Sequence, residues 1–270
     1  MIASLLKKMI GALSPRTLEV LRAINSRRRT ASLERKNGTT ALAGKIADSA
    51  GLEVHGGPFR GMRFPESFRQ RAIGSKLLGT YEQELHAVVA DAIARSPDRI
   101  VIVGSAEGYY AAGLARAVPS AKITAFDIDP WARARCGELA RINGIADRLE
   151  TRSFCEPRDL LELRGTRALV VSDCEGFEYH LFTAEVIAAL ENATVMIETH
   201  PFVSGDDNAL LVRGFTATHA VQTIRFFPDS RKRPEKFSTL LSAGEFARAT
   251  DEGRPAQQEW LCATPHPQAV

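Results

Sequence analysis

The sequence predicts a doubly wound α/β domain: a mostly parallel, seven-stranded sheet with helices on both faces, behind a helical N-terminal extension. Three observations predict it. Short apolar runs rich in β-branched residues recur between amphipathic stretches. Strand and helix alternate in a rhythm that calls for right-handed crossovers and strands buried on both faces. Glycines and acids cluster just after the apolar runs, where open parallel sheets bind their ligands.

The chain of 270 residues holds one large domain plus an extension. Its net charge of +3 does not call for a nucleic-acid partner, and the distribution is more telling than the sum. Residues 1–40 carry about nine Lys or Arg against two acids, so the remainder is mildly acidic. Residues 1–50 read as a basic arm and linker. In the arm, Ile2, Leu5, Leu6, Met9, Ile10 and Leu13 recur at helical spacing, with Lys7 and Lys8 off that stripe. Such a helix suits its own domain, an anionic membrane surface or a partner subunit. Arg27, Arg28 and Arg29 follow, and residues 37–40 read as linker.

Cys136, Cys155, Cys174 and Cys262 form no C-x-x-C pair, which excludes a zinc knuckle or redox motif and leaves buried thiols. No apolar run approaches the ~20 residues that span a bilayer, and the N-terminus lacks the order of a signal peptide. The expected location is cytoplasmic.

Residues 51–97 form a lead-in. GGPFRGMRFP predicts a short hairpin, and Leu77, Leu78, Tyr81, Leu85, Val88, Val89 and Ile93 trace a long helix, broken near Gly79 and ended by Ser96-Pro97. Residues 98–265 form the main domain. Strands are expected at Arg99–Gly104, Lys122–Asp127, Leu149–Phe154, Ala168–Ser172 and Thr194–Glu198. Helices fall at Tyr109–Val118, Trp131–Asn143 and Ala184–Leu190. The tail adds strands at Ala220–Phe227 and Glu259–Ala263 around a helix at Leu241–Ala249.

The residues after each strand carry the chemistry. Gly104-Ser105-Ala106-Glu107-Gly108 leads into a helix, where small residues and free N–H groups admit a ligand. Asp127 lies about 23 residues beyond Gly104, the place from which a carboxylate accepts both hydroxyls of an adenosine ribose. Asp129-Pro130 instead reads as helix cap and first helical residue. Asp173, Glu175 and Glu178 cluster after the fourth strand. Glu198 and His200 follow the fifth, two apart, and point the same way if the strand continues. That pair could hold a proton or a cation beside the fourth-strand acids. The basic loop Asp229–Lys236 reads as a solvated connection or a cover for an anionic acceptor.

The series VIVGSAEGYYAAGLA, ITAFDIDP, VVSDCEGFEYHLF and MIETHPF resembles the FkbM-type branch of class I S-adenosylmethionine-dependent methyltransferases. The likeness spans about Val101 to Phe202, with a weaker part in GTYEQELH. Its most specific element is the D-x-E-G-x-E segment from Asp173 to Glu178. The resemblance implies a Rossmann-like sheet and S-adenosylmethionine as cofactor. The residues implied to hold it are Tyr81, Glu82, Gly104, Ser105, Glu107, Gly108, Asp127, Ile128 and Asp173. It also implies O-methylation of a sugar-like or secondary-metabolite-like small molecule. Asp173, Glu198 and His200 are the candidate catalytic residues: His200 as base, oriented by Glu198 or Asp173, or Asp173 and Glu198 holding a divalent cation such as magnesium. Two positions depart from the family pattern. Ile102 stands where an acid is usual, and Ala106 replaces the middle glycine. Glu107, Tyr81-Glu82 or Asp173 would then meet the methionine amino group. The rival readings are a methyltransferase-like binding module without activity and an NAD(P)-dependent oxidoreductase. The second lacks the full G-x-G-x-x-G loop.

Overall fold

The computed structural model describes residues 38–69, 71–200, 208–226, 232, 237, 239–254 and 258–267. The seven expected strands form one sheet: β1 (Arg99–Val103), β2 (Lys122–Phe126), β3 (Leu149–Arg152), β4 (Ala168–Ser172), β5 (Thr194–Thr199), β6 (His219–Arg225) and β7 (Glu259–Pro265). Their order is β3-β2-β1-β4-β5-β7-β6. β1 to β5 pair in parallel, and β7 runs antiparallel between β5 and β6. This is the Rossmann-like architecture the sequence predicts.

Period-two alternation assigns the core to the two faces of the sheet. Ile100, Ile102, Ile123, Leu169, Val171 and Met196 join one buried cluster. Their neighbours Val101, Val103, Phe126, Val170, Val195 and Ile197 join the other. Helices cover both sides: α4 (Tyr109–Ala117), α5 (Pro130–Ile142), α6 (Pro157–Leu161), α7 (Glu178–Leu181), α8 (Ala184–Ala189), α9 (Asn208–Thr216) and α10 (Ala243–Thr250). α5 starts as predicted, with the Asp129 carboxylate accepting from the Trp131 N–H at 3.0 Å and Pro130 in the first turn. Gly144, in the left-handed region at φ 67°, follows its end. The four cysteines are free and buried.

Two expectations in the N-terminal third need correction. The linker ends early: Thr39–Ala50 is a helix (α1), whose Leu42, Ala43, Ile46 and Ala47 are buried. It packs against α2 (Gly74–Leu78) and α10. The linker reading weighed the small polar residues near Thr40 and missed the apolar i, i+4 pair Leu42 and Ile46. The long helix is interrupted as expected near Gly79, which takes φ 70°, but the gap is wide. Helix resumes at α3 (His86–Ala94), after a 3₁₀ turn at Gln83–Leu85. Gly79 ends α2 in the left-handed conformation, and a Cβ there would lie 2.3 Å from Gly56 backbone, so the position requires glycine. The hairpin appears as a bridge between Glu53 and Arg63, with the Val54 N–H donating to Met62 O at 2.8 Å.

The arm stripe and arginine run lie outside the described residues, as does most of the loop 229–236. No helix among the described residues is long and apolar enough to cross a membrane. If α1 is part of the core, Ile46→Ala, at a fully buried position, costs about 2–5 kcal/mol in denaturant unfolding. A loss of under about 0.5 kcal/mol, the range of surface changes, would return the segment to a linker.

Candidate functional site

Strand order reverses between β1 and β4, and the register of β1, β2, β4 and β5 brings their carboxyl ends level. Val103 pairs with Phe126 and Ser172, and Ser172 with Ile197. Gly104, Asp127, Asp173 and Glu198 therefore emerge side by side, at the switch point where such sheets bind ligands. A cleft of about 420 Å³, open to solvent, lies there. Six of the predicted cofactor residues line it together: Tyr81, Glu82, Gly104, Ser105, Glu107 and Asp173. Gly108, Asp127 and Ile128 are not among its lining.

The glycine loop is shaped by contact with β4. Gly104 has φ 80°, and a Cβ there would stand 1.8 Å from the Asp173 carbonyl oxygen. Only glycine fits. At Gly108 (φ 95°) a Cβ would meet Cys136 Sγ at 2.7 Å. Ala106 holds φ 46°, a left-handed conformation in the place of the missing glycine. Its N–H donates to Asp127 Oδ2 at 2.8 Å, and the Asp129 N–H donates to Asp127 Oδ1 at the same distance. Asp127 thus fastens the strained loop, while each oxygen keeps a lone pair for a further donor. Burial pushes its carboxyl up to about 6, against these two bonds.

Glu107 forms an ion pair with Lys76, whose ammonium lies 4.5 Å from the Tyr81 ring centroid. Burial alone would raise the Glu107 carboxyl, but Lys76 holds it below its ordinary value.

Behind the cleft lies a buried ionic network that reaches its lining through Tyr81, Glu82 and Tyr110, and the centre of that network was not predicted. Arg254 is an ion-pair partner of both Glu82 and Glu198, and its Nε donates to Glu252 Oε2 at 3.0 Å. Its Nη2 donates to Tyr81 Oη at 3.2 Å. Glu252 also pairs with Lys232, which is fully buried and donates to Thr250 O at 3.1 Å. Lys232 is therefore no part of a solvated loop. Tyr110 Oη donates to Glu82. Burial and the charge of Asp173 push the Glu198 carboxyl well up, against the pull of Arg254.

Glu198 and His200 both neighbour Asp173. β5 ends at Thr199, so alternation stops before His200, and beyond Asp173 the two side chains take different partners, Arg254 and Glu178. His200 is oriented by Glu178, with Nδ1 2.9 Å from Oε1. Its Nε2 lies 3.7 Å from Asp173 and 3.9 Å from Glu175. Burial opposes protonation of the imidazole, but the hydrogen bond to Glu178 and the charges of Asp173, Glu178 and Glu175 win, raising it to about 9. At neutral pH His200 is an imidazolium. A group of three residues that could hold a metal is Asp173, Glu175 and His200, whose ligand atoms lie within 4.8 Å of one another. Asp173 Oδ1 is buried without a hydrogen-bond partner. The loop keeps this arrangement through consecutive positive φ values at Glu175 and Gly176.

Glu175 and Glu178 were visible in the sequence as members of the acidic segment. Arg254 was not, because it lies near no motif, and Lys76 was not, although it stands three residues ahead of GTYEQELH.

No family model matches the chain, and no curated protein sequence matches it. Solved structures with similar architecture include the O-methyltransferase TomG from Streptomyces achromogenes in complex with SAM, at 14% identity and a TM-score of 0.49, covering 76% of this chain and 92% of that one. A methyltransferase from Geobacter sulfurreducens matches at 16% identity and a TM-score of 0.42, covering 66% and 76%. A cofactor-bound protein from MTB matches at 15% identity and a TM-score of 0.45, covering 84% and 89%.

Arg254→Ala leaves Glu82, Glu198 and Glu252 buried with Lys232 as their one remaining cation among the described residues. The expected loss is about 3–5 kcal/mol of unfolding free energy. It is largest at alkaline pH and shrinks as the pH falls and the carboxyls take up protons. A pH-independent loss would mean that these charges are solvated.

Proposed function

We propose that the chain is an S-adenosylmethionine-dependent methyltransferase acting on a hydroxyl of a small, polyhydroxylated acceptor, in the manner of the FkbM-type enzymes its motifs resemble. The observation that carries this reading is the convergence of the glycine loop, Glu82 and Asp173 on one cleft at the switch point, with the Glu178–His200 pair at its edge.

In this reading the cleft takes the methionine half of the cofactor. The remaining lone pairs of Asp127 accept the ribose hydroxyls, and Ile128, next in the chain, lies against the base. The cofactor supplies a methyl group already activated by its sulfonium, so the protein chiefly aligns the acceptor. The acceptor hydroxyl must also lose a proton. His200 is fitted to take it, since Glu178 fixes Nδ1 and leaves Nε2 turned toward Asp173 and Glu175. A second arrangement is favoured by the orphaned Asp173 oxygen. A divalent cation such as magnesium, held by Asp173, Glu175 and His200, would acidify the acceptor hydroxyl instead. Peripheral contact with a membrane or a partner subunit through residues 1–40 also belongs to the proposal.

Calorimetric titration tests the cofactor class. S-adenosylmethionine is expected to bind at micromolar concentration, Asp127→Ala to abolish binding, and NADH and NADPH to give no heat. Absence of binding by the sulfur nucleosides would favour the binding module, and nicotinamide binding the oxidoreductase.

The pH profile tests the base. His200 is active only unprotonated, so kcat/KM rises with pH through about 9. Glu178→Gln removes the carboxylate hydrogen bond and one of the three charges that raise the imidazole, so the limb moves to lower pH by about one unit or more. A limb unmoved in this variant removes His200 as base. Loss of activity on chelation, restored by magnesium, would favour the cation arrangement.

A further inference from the structure

The lining of the cleft carries charge of both signs. Its acids are Glu82, Glu107 and Asp173, and its cation among the described residues is Lys76. Lys76 stands on α2 beside the buried Ser75, Leu77 and Leu78, and its own side chain is mostly buried. A lysine so placed needs an anion, and Glu107 on the glycine loop supplies one. The ammonium also lies 4.5 Å from the Tyr81 ring centroid and 5.4 Å from that of Tyr109. The ion pair does not exhaust Lys76, because an ammonium has three donors and its bond to Glu107 uses one. Nor is Lys76 the sole cation acting on Glu107, since the charge of Arg71 also lowers that carboxyl. Two cations therefore serve one carboxylate beside the glycine loop.

Tyr81 touches both signs. Its ring face meets Lys76, and its hydroxyl accepts from Arg254 Nη2 at 3.2 Å, the guanidinium that pairs with Glu82. One tyrosine thus stands between a cation and an acid that line the same cleft. A ligand with a carboxylate and an ammonium on one carbon is complementary to this arrangement, as an amino acid and its derivatives are.

We propose that Lys76 anchors the α-carboxylate in the methionine half of the methyl donor, and so selects a ligand with an intact amino-acid end over an adenosine thioether without the carboxyl group. The inference rests on the methyl-transfer reading and deepens it by adding a binding residue outside the motifs. Glu107 stays with Lys76 and positions it. That leaves Glu82 and Asp173 for the ammonium, and the Asp173 Oδ1 is buried without a hydrogen-bond partner among the described residues. The Tyr81 and Tyr109 rings shield the Lys76 ammonium from water, which strengthens its bond to a carboxylate. Donor and product share this carboxylate, so the product thioether reports on the anchor as well as the donor does.

The experiment is calorimetric titration of the full chain with S-adenosylhomocysteine and with its decarboxylated form, in which hydrogen replaces the carboxyl group. The wild-type protein is expected to bind the first about tenfold or more tighter than the second. Glu107→Gln keeps the Lys76 ammonium and should keep that preference. The double variant Lys76→Met with Glu107→Gln removes both charges together, so that no buried carboxylate loses its cation. In it the preference should vanish, while the decarboxylated ligand keeps its affinity within about twofold. Thermal melting checks the folding of both variants. Equal binding of the two ligands by the wild-type protein overturns the proposal. So does a double variant that behaves like Glu107→Gln, or one that weakens both ligands by the same factor, the mark of an ion pair that only fastens the loop. If neither ligand binds the wild-type protein, the methyl-transfer reading falls first and the proposal with it.

Discussion

Arg254 joins segments that lie far apart in the chain. Its guanidinium meets Glu82 from the loop after α2, Glu198 from the end of β5 and Glu252 from its own segment ahead of β7. Tyr81 and Tyr110 are drawn into the same network. A charge so deeply buried is tolerable only when its partners surround it, and their positions are then fixed in return. The position of Glu82 in the cleft depends on this. Its backbone takes a left-handed conformation at φ 46°, which costs energy for a side chain of this size. The Glu82 N–H donates to Glu252 at 3.1 Å while its carboxylate binds Arg254, so the network holds the residue at both ends.

The sheet was legible because its signals are local. Each parallel strand is a short apolar run, and burial on both faces lets every residue in it be apolar. The Asp129-Pro130 cap and the Asn143-Gly144 stop were legible for the same reason, since a cap is chosen by the residues that form it. The candidate site was half legible. Gly104, Asp127 and Asp173 follow strand ends, so their place is given once the strands are. Partners were harder to read. Glu198 and His200 read as a pair beside the fourth-strand acids, and both neighbour Asp173, but each also takes a distant partner. The partner of His200 is Glu178, 22 residues away, and that of Glu198 is Arg254, 56 residues away. Such pairings depend on the packing of helices and loops over the sheet, which no local pattern encodes.

The same distinction explains α1. Its polar start reads as linker, and its helicity is decided by what Leu42 and Ile46 bury against α2 and α10. Helical stability in a short segment comes mainly from such packing and not from intrinsic propensity.

The departure at Ile102 also has a physical counterpart in the fold. Ile102 lines the cleft, where an acid on β1 would place a carboxylate on its wall. The wall nonetheless carries carboxylates, from Glu82 on one side and Asp173 on the other. An acid on β1 would stand between two strands whose neighbouring positions are apolar, and its charge would need a partner within the sheet. Glu82 and Asp173 come instead from loops at the carboxyl edge, where Arg254 can reach the first and solvent the second. β1 is thereby free to be apolar throughout, and Ile102 joins Ile100 in the core. The negative character of the cleft sits in the segments around the sheet. Arg254, though distant from Gly104 in sequence, is the residue that makes the buried Glu82 carboxylate tolerable there.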